Sequence, residues 1–189
     1  MSSKLSEYRK TCAIELSKTI EENLKNLQLK EARFEISVEE NSISENGKDN
    51  VEFLISTNIN QNLMPLIKVA SGGEISRVML AMKTIFAHVD KISTVVFDEI
   101  DTGISGITSN SVASAMLELS KSTQIICITH QPIICAKADN FIWITKTNEN
   151  NTNIEIKALN DEQRLKALAQ LASGEITEKT IEFAKTLTK

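Results

Sequence analysis

An α/β fold is predicted from three features of the sequence. Two short runs rich in β-branched residues, Ser93–Phe97 and Gln124–Thr129, lie in the middle of the chain. Continuous apolar runs of this kind suit strands covered on both faces. Amphipathic stretches at Glu74–His88 and Ser105–Leu119 alternate with them, which argues for parallel pairing through helical crossovers. Alternating segments before and after this centre read as hairpins that add antiparallel strands.

The composition agrees with a folded domain. The chain has 189 residues, 41% hydrophobic and 24% charged, enough for one full-sized core. These values exclude a wholly disordered chain, a collagen and a disulfide scaffold. A net charge of −4 gives no general attraction to nucleic acid or an anionic membrane. The basic group Lys4, Arg9, Lys10 and Lys18 reads as a solvated helix face. No apolar run approaches the roughly 18 residues of a membrane span, and the polar N-terminus lacks a signal-peptide core. Cys12, Cys127 and Cys135 are odd in number and show no metal spacing, so a reduced, cytoplasmic chain is expected.

The elements follow in order. Leu5–Leu29 places Ile14, Leu16, Ile20, Leu24 and Leu27 at helical spacing, with Tyr8 and Cys12 extending the stripe. Arg33–Glu39 alternates as a half-buried strand, and Val51–Thr57 answers it across the turn signal Asn46-Gly47. A loop with Asn58, Asn60, Asn62 and Pro65 leads to a helix over Glu74–His88, lined by Ile75, Val78, Met79, Ala81, Met82, Ile85 and Phe86. Ser105–Leu119 is a helix with Ser105 as its cap and Ile107, Val112, Ala115, Met116 and Leu119 inward. Pro132 opens a short helix to Ala138. Phe141–Thr145 and Thr152–Lys157 form a second hairpin, and helices Glu162–Leu171 and Thr177–Leu187 close the chain on either side of Ser173-Gly174. No repeat or linker divides residues 1–189, so a single domain is expected.

Four local signals carry chemistry. Ser71-Gly72-Gly73-Glu74 opens a helix, where glycines permit close backbone approach and free N–H groups favour an anion. Taken alone, it reads more readily as an ordinary cap and turn. Asp98-Glu99 ends an apolar strand, and ligands of open α/β sheets bind at that edge. One carboxylate there can hold Mg²⁺, and the next can orient and deprotonate a water. Alone, the pair is also a solvated strand end. Asp101 sits in a loop with Gly103 and Gly106, and His130 ends the next strand.

Their order resembles the C-terminal lobe of ABC-type ATPase heads. Within them, three segments resemble the RecN family of SMC-like ATPases: Val69–Lys83, Val96–Gly106 and Ile128–Pro132. Similarity in Val51–Asn58 and in the closing helices extends it over most of the chain. The resemblance implies a lobe of a P-loop ATPase head with a mixed sheet, flanking helices and, in residues 1–30, a stub of coiled-coil helix. Ser71, Gly72, Gly73 and Glu74 would form the nucleotide-binding signature turn, with Asp101 on the D-loop. Asp98 would hold Mg²⁺, Glu99 would act on the attacking water, and His130 would be the switch histidine. A Walker A loop, Gly-x-x-x-x-Gly-Lys-Ser/Thr, is required for the phosphates. Gly47-Lys48 is the only Gly-Lys pair and lacks that spacing. The expectation is therefore the C-terminal half of a head, inactive alone. Its implied partners are the N-terminal ATPase half, a second head in an ATP-dependent homodimer, and DNA through the full-length protein, with no membrane. The implied location is cytoplasmic and nucleoid-associated. Gln131 stands where the family pattern has leucine. Two alternatives remain at this point: the ATP-binding half of an ABC transporter, and a non-catalytic dimerisation or DNA-binding module.

Overall fold

The structure, a computed structural model, describes residues 1–69, 72–86, 92–149 and 151–188. Helix α1 spans Ser2–Asn26 and buries Ser6, Ala13, Ile20 and Leu24. Ser6, Ala13 and Ile20 are seven residues apart, so they share one face of the helix. Tyr8, Cys12 and Ile14, expected on the stripe, are exposed. The difference is tertiary, because α1 lies along a β-sheet edge and polar side chains serve that contact. Glu21 accepts the Phe34 N–H at 2.9 Å and Ser17 accepts that of Ile36 at 3.1 Å. An otherwise open strand edge is thereby covered and its donors are satisfied. Nearer the start of α1, Ser6 and Arg9 hold Asp49 at 2.6 and 3.0 Å.

That edge belongs to β1 (Arg33–Ser44), which pairs antiparallel with β2 (Gly47–Ser56). Phe34 faces Ile55 and Ile36 faces Phe53 in the register. The turn falls at the expected place, with Gly47 at φ 104°. The strands run longer than the alternation predicts, since polar Glu40 remains paired with Asp49. A two-residue strand, β3 (Met64–Pro65), adds to β2 where a loop is expected.

Helix α2 (Gly72–Phe86) leads to the parallel pair β4 (Thr94–Phe97) and β5 (Gln124–Cys127), joined by α3 (Ile107–Ser120). Only one face of this pair is covered. Phe97 is buried, whereas Val96, Ile126 and Ile128 are exposed. Helix α3 starts from Gly106 at φ 51° instead of being capped by Ser105, and Ile107 points to solvent. Pro132 opens α4 (Pro132–Ala136) as expected. The second hairpin, β6 (Ile142–Glu149) with β7 (Asn151–Ala158), precedes α5 (Asp161–Ser173) and α6 (Glu178–Leu187). Parallel and antiparallel strands thus both occur, distributed over three sheets among the described residues.

Two cores result. The larger joins α1, β1, β2, α2, β4 and α3 around Ile20, Leu24, Ile55, Leu80 and Ile100. The smaller gathers Cys135, Ala136, Phe141, Ala167, Leu168, Ala169 and Ala184. Helix α4 touches both, through Ile134 on one side and Cys135 on the other.

Candidate functional site

The parallel pair sends both of its acidic and histidine loops to one edge. Strand β4 ends at Phe97, so Asp98 and Glu99 are exposed at its carboxyl end. The Glu99 N–H donates to Asp98 Oδ1 at 2.9 Å, and Glu99 takes φ +56°. A left-handed residue other than glycine is costly, on the order of 1 kcal/mol or more. Its neighbours hold it there: Thr102 N–H donates to the Glu99 carbonyl at 3.1 Å, and Ser76 Oγ donates to the Asp98 carbonyl at 3.0 Å.

The N-terminus of α2 meets this loop directly. A Cβ on Gly72 would stand 2.6 Å from Glu99 Oε2, and one on Gly73 would stand 2.7 Å from the Thr102 carbonyl. Glycine is needed at Gly73, where backbone of the acidic loop approaches; at Gly72 the neighbour is the end of the flexible Glu99 side chain, which can give way. Glu74 lies in the first turn of α2. Ser71 lies outside the described residues, as does His88 at the expected end of that helix.

Asp101, expected among nucleotide contacts, is 3% exposed. Its Oδ2 accepts from Thr129 Oγ1 at 2.6 Å and from the His130 N–H at 2.9 Å, and His130 Nδ1 also lies 2.9 Å away. A carboxylate only accepts, so Nδ1 carries the proton and Nε2 is left for a further partner. The His130 side chain is 75% exposed, so that nitrogen is not enclosed by the fold. Asp101 thus orients the histidine ring and anchors its loop.

Sequence reasoning missed the polar groups that fasten this loop. Thr129 Oγ1 also accepts the Gln131 N–H at 3.0 Å, and Gln131 Nε2 donates to the Ile104 carbonyl at 3.1 Å. Gln131 therefore ties the two loops together where leucine has no donor. On the opposite flank, Arg77 Nη1 donates to the Thr102 carbonyl at 3.3 Å. A charge on the buried face of α2 was the available signal for Arg77; nothing local marks Thr129.

The two thiols near the site, Cys127 and Cys135, offer no nucleophile. Burial, followed by the Asp101 charge, pushes Cys127 up to about 12, and burial likewise lifts Cys135 to about 11. Among the described residues, no group of three or more His, Cys, Asp or Glu could hold a metal unaided. The exposed Asp98 carboxylate fits the Mg²⁺ mode in which one or two carboxylates share the ion with substrate phosphates. No described helix is long and apolar enough to cross a membrane.

No family model matches the chain. A solved Smc head domain from Pyrococcus yayanosii superposes over 88% of this chain and 30% of its own, with TM-score 0.62 and 22% identity. A second structure, described as concerning ATP-driven dimerization and DNA-stimulated activation of SMC ATPases, covers 88% of this chain and 99% of its own, with TM-score 0.50 and 20% identity. The fold is that of the C-terminal lobe of an SMC-type ATPase head. In sequence, the chain is 41% identical to the DNA repair protein RecN of Halalkalibacterium halodurans, over 98% of this chain and 34% of that protein. RecN of Bacillus subtilis is 36% identical over 98% of this chain and 35% of its own length. The chain belongs to the RecN family and spans about a third of the length of the relatives it matches.

Proposed function

We infer that the chain is the C-terminal part of an SMC-like DNA repair ATPase, in which it supplies half of a composite ATP site. One observation carries this reading. The signature turn at Gly72 and Gly73, the Asp98-Glu99 pair and the Asp101–His130 pair converge at one sheet edge. Phosphoryl transfer to water depends on positioning and charge stabilisation more than on covalent chemistry. Glu99, exposed at that edge, would orient and deprotonate the water. His130, set by Asp101, would direct Nε2 toward the terminal phosphate. Ser71, Gly72, Gly73 and Glu74 would bind nucleotide held by a second head, at the start of α2 where N–H groups favour anions. Asp98 would hold Mg²⁺, which supplies charge neutralisation on the phosphates when bound.

Residues 1–189 then act as one domain, with 1–30 the root of a coiled coil, and work in the cytoplasm on DNA through the full-length protein. The Walker A half is the first partner. Two exposed apolar faces support an intramolecular partner of that size: Val96, Ile126 and Ile128 beside β4 and β5, and Ile142, Ile144, Ile154 and Ile156 on the second hairpin. The transporter alternative has less support, since the relatives are DNA repair proteins.

The test is Glu99→Gln in a full RecN-type protein carrying this chain. Turnover should fall about 10²–10⁴-fold while ATP-dependent association persists. Unchanged turnover removes Glu99 from this role. The isolated chain should show neither turnover nor tight Mg-ATP binding by calorimetry, and activity there overturns the half-site reading.

A further inference from the structure

Arg77 is the charged group that the proposed mechanism does not use. It is 6% exposed, on the face of α2 that also buries Val78, Ala81 and Met82. Among the described residues its guanidinium donates to the Thr102 carbonyl, and its buried Nε has no acceptor. No carboxylate pairs with it within ion-pair distance among those residues. Burial depresses its pKa, opposed only by the charge of Glu74. A cation in such a setting is costly, and an apolar side chain of similar length could fill the same volume. Packing alone therefore does not call for arginine. What the guanidinium adds is a donor directed at the acidic loop.

The neighbouring contacts give that donor a purpose. Gly73, one turn earlier, lies against the same Thr102 carbonyl, and Ser76, the adjacent residue, holds the Asp98 carbonyl. The first two turns of α2 thus grip residues 98–102 from one side. Thr129, His130 and Gln131 grip residues 101–104 from the other.

We propose that Arg77 is a positioning residue that locks the acidic loop to the signature helix, so that nucleotide engaged by α2 at one composite site biases Glu99 and Asp101 at the other. The two sites of a dimer are then coupled through a rigid element inside each head. The coupling rests on the composite-ATPase reading; the lock itself does not.

The experiment separates them. In the chain itself, hydrogen exchange reports on the loop through the Thr102 and Ile104 amides, which donate to the Glu99 and Asp101 carbonyls at 3.1 and 3.3 Å. Arg77→Met should speed their exchange roughly tenfold or more, leaving amides of β1 and β2 unchanged. Arg77→Lys keeps one donor and should fall between the two, and it decides the matter if the methionine variant folds poorly. Loop exchange unchanged in folded variants overturns the lock. In the full protein, Arg77→Met should lower kcat about two- to thirtyfold. KM for ATP should stay within about twofold and cooperativity in ATP should weaken. Wild-type kcat and cooperativity in that variant overturn the coupling. An inactive wild-type protein removes the composite-site reading instead, and the exchange measurement still decides the lock.

Discussion

Set against the lobe that carries the site, the C-terminal unit of β6, β7, α5 and α6 is built from smaller side chains. The lobe's core closes over Ile20, Leu24, Ile55, Leu80, Ile100 and Val112, all essentially inaccessible. The C-terminal core has Leu168 as its one fully buried large side chain, set among alanines, Cys135 and Phe141. Less apolar area is removed from water there, so hydrophobic burial contributes less. Local hydrogen bonding takes a larger share. Both α5 and α6 begin with complete capping boxes, from Asn160 with Gln163 and from Thr177 with Thr180. Gly174 ends α5 at φ 79°. Arg164 fastens the unit to the lobe by donating to the carbonyls of Cys135, Ala136 and Ala138 at the end of α4. The comparison teaches that site geometry rests on the large core, while the smaller unit is a capped attachment joined at α4.

The largest effects should come from the cores. Leu80→Ala should cost about 2–5 kcal/mol and lower the stability of the whole lobe. Leu168→Ala should cost toward the lower end of that range, because neighbouring alanines leave room for collapse. Thiol labelling distinguishes local from global opening. Cys135 lies in the smaller core, and Cys127 ends β5 and packs against the larger one. Leu168→Ala should expose Cys135 to reagent while Cys127 stays protected; equal reactivity of both would merge the two regions into one cooperative unit.

Arg164→Met should follow, at about 1–3 kcal/mol, since it removes the donors to the last carbonyls of α4. Hydrogen exchange should rise in α5 and α6 and at the end of α4, with β1 and β2 unaffected. Thr177→Ala should cost about 1 kcal/mol through the lost α6 cap. Chemical denaturation read at Trp143, which packs beside the smaller core, should register the change.

The smallest effect concerns pH and belongs to the larger region. The Asp49 side chain is 1% exposed, and hydrogen bonds from Ser6 and Arg9 hold its pKa below the ordinary 3.8. A carboxylate depressed in the folded state adds stability above its unfolded value and loses it as pH falls through the folded value. Tm should therefore decline below pH 3.8 in the wild type, and less steeply in Asp49→Asn. Parallel acid profiles would sink that assignment.

Much of the fold was legible because local chemistry dictated it. Asn46-Gly47 marks the turn, which spans Glu45-Asn46 with Gly47 immediately after it at φ 104°. Ser173-Gly174 marks the stop between the last two helices, where Gly174 also takes a positive φ. The buried face of α1 was legible only in part: Ile20, Leu24 and Leu27 are buried as their spacing predicts, whereas Tyr8 and Ile14 are exposed and Ser6 and Ala13 are buried in their place. Helix α1 meets a strand edge and a hairpin tip, where hydroxyls and a carboxylate serve better than a wide apolar stripe. The one-sided cover of β4 and β5 was hidden. A run such as Thr94–Phe97 reads the same whether its second face meets protein or solvent.

By itself, the sequence determined the order of the elements and which motifs stand at their ends. Apolar periodicity, turn residues and the acidic and histidine ends of two strands act over a few neighbouring positions. Only the tertiary structure decided what each polar group does there. Asp101 meets Thr129 and His130 across 28 and 29 positions, and Arg77 meets Thr102 across 25. A hydrogen bond demands heavy atoms within about 3 Å and a favourable angle, and no pattern along the chain encodes that at such separations. The packing of α2 and β5 around one loop supplies it, turning Asp101 into the partner of a histidine and Arg77 into a donor to the loop.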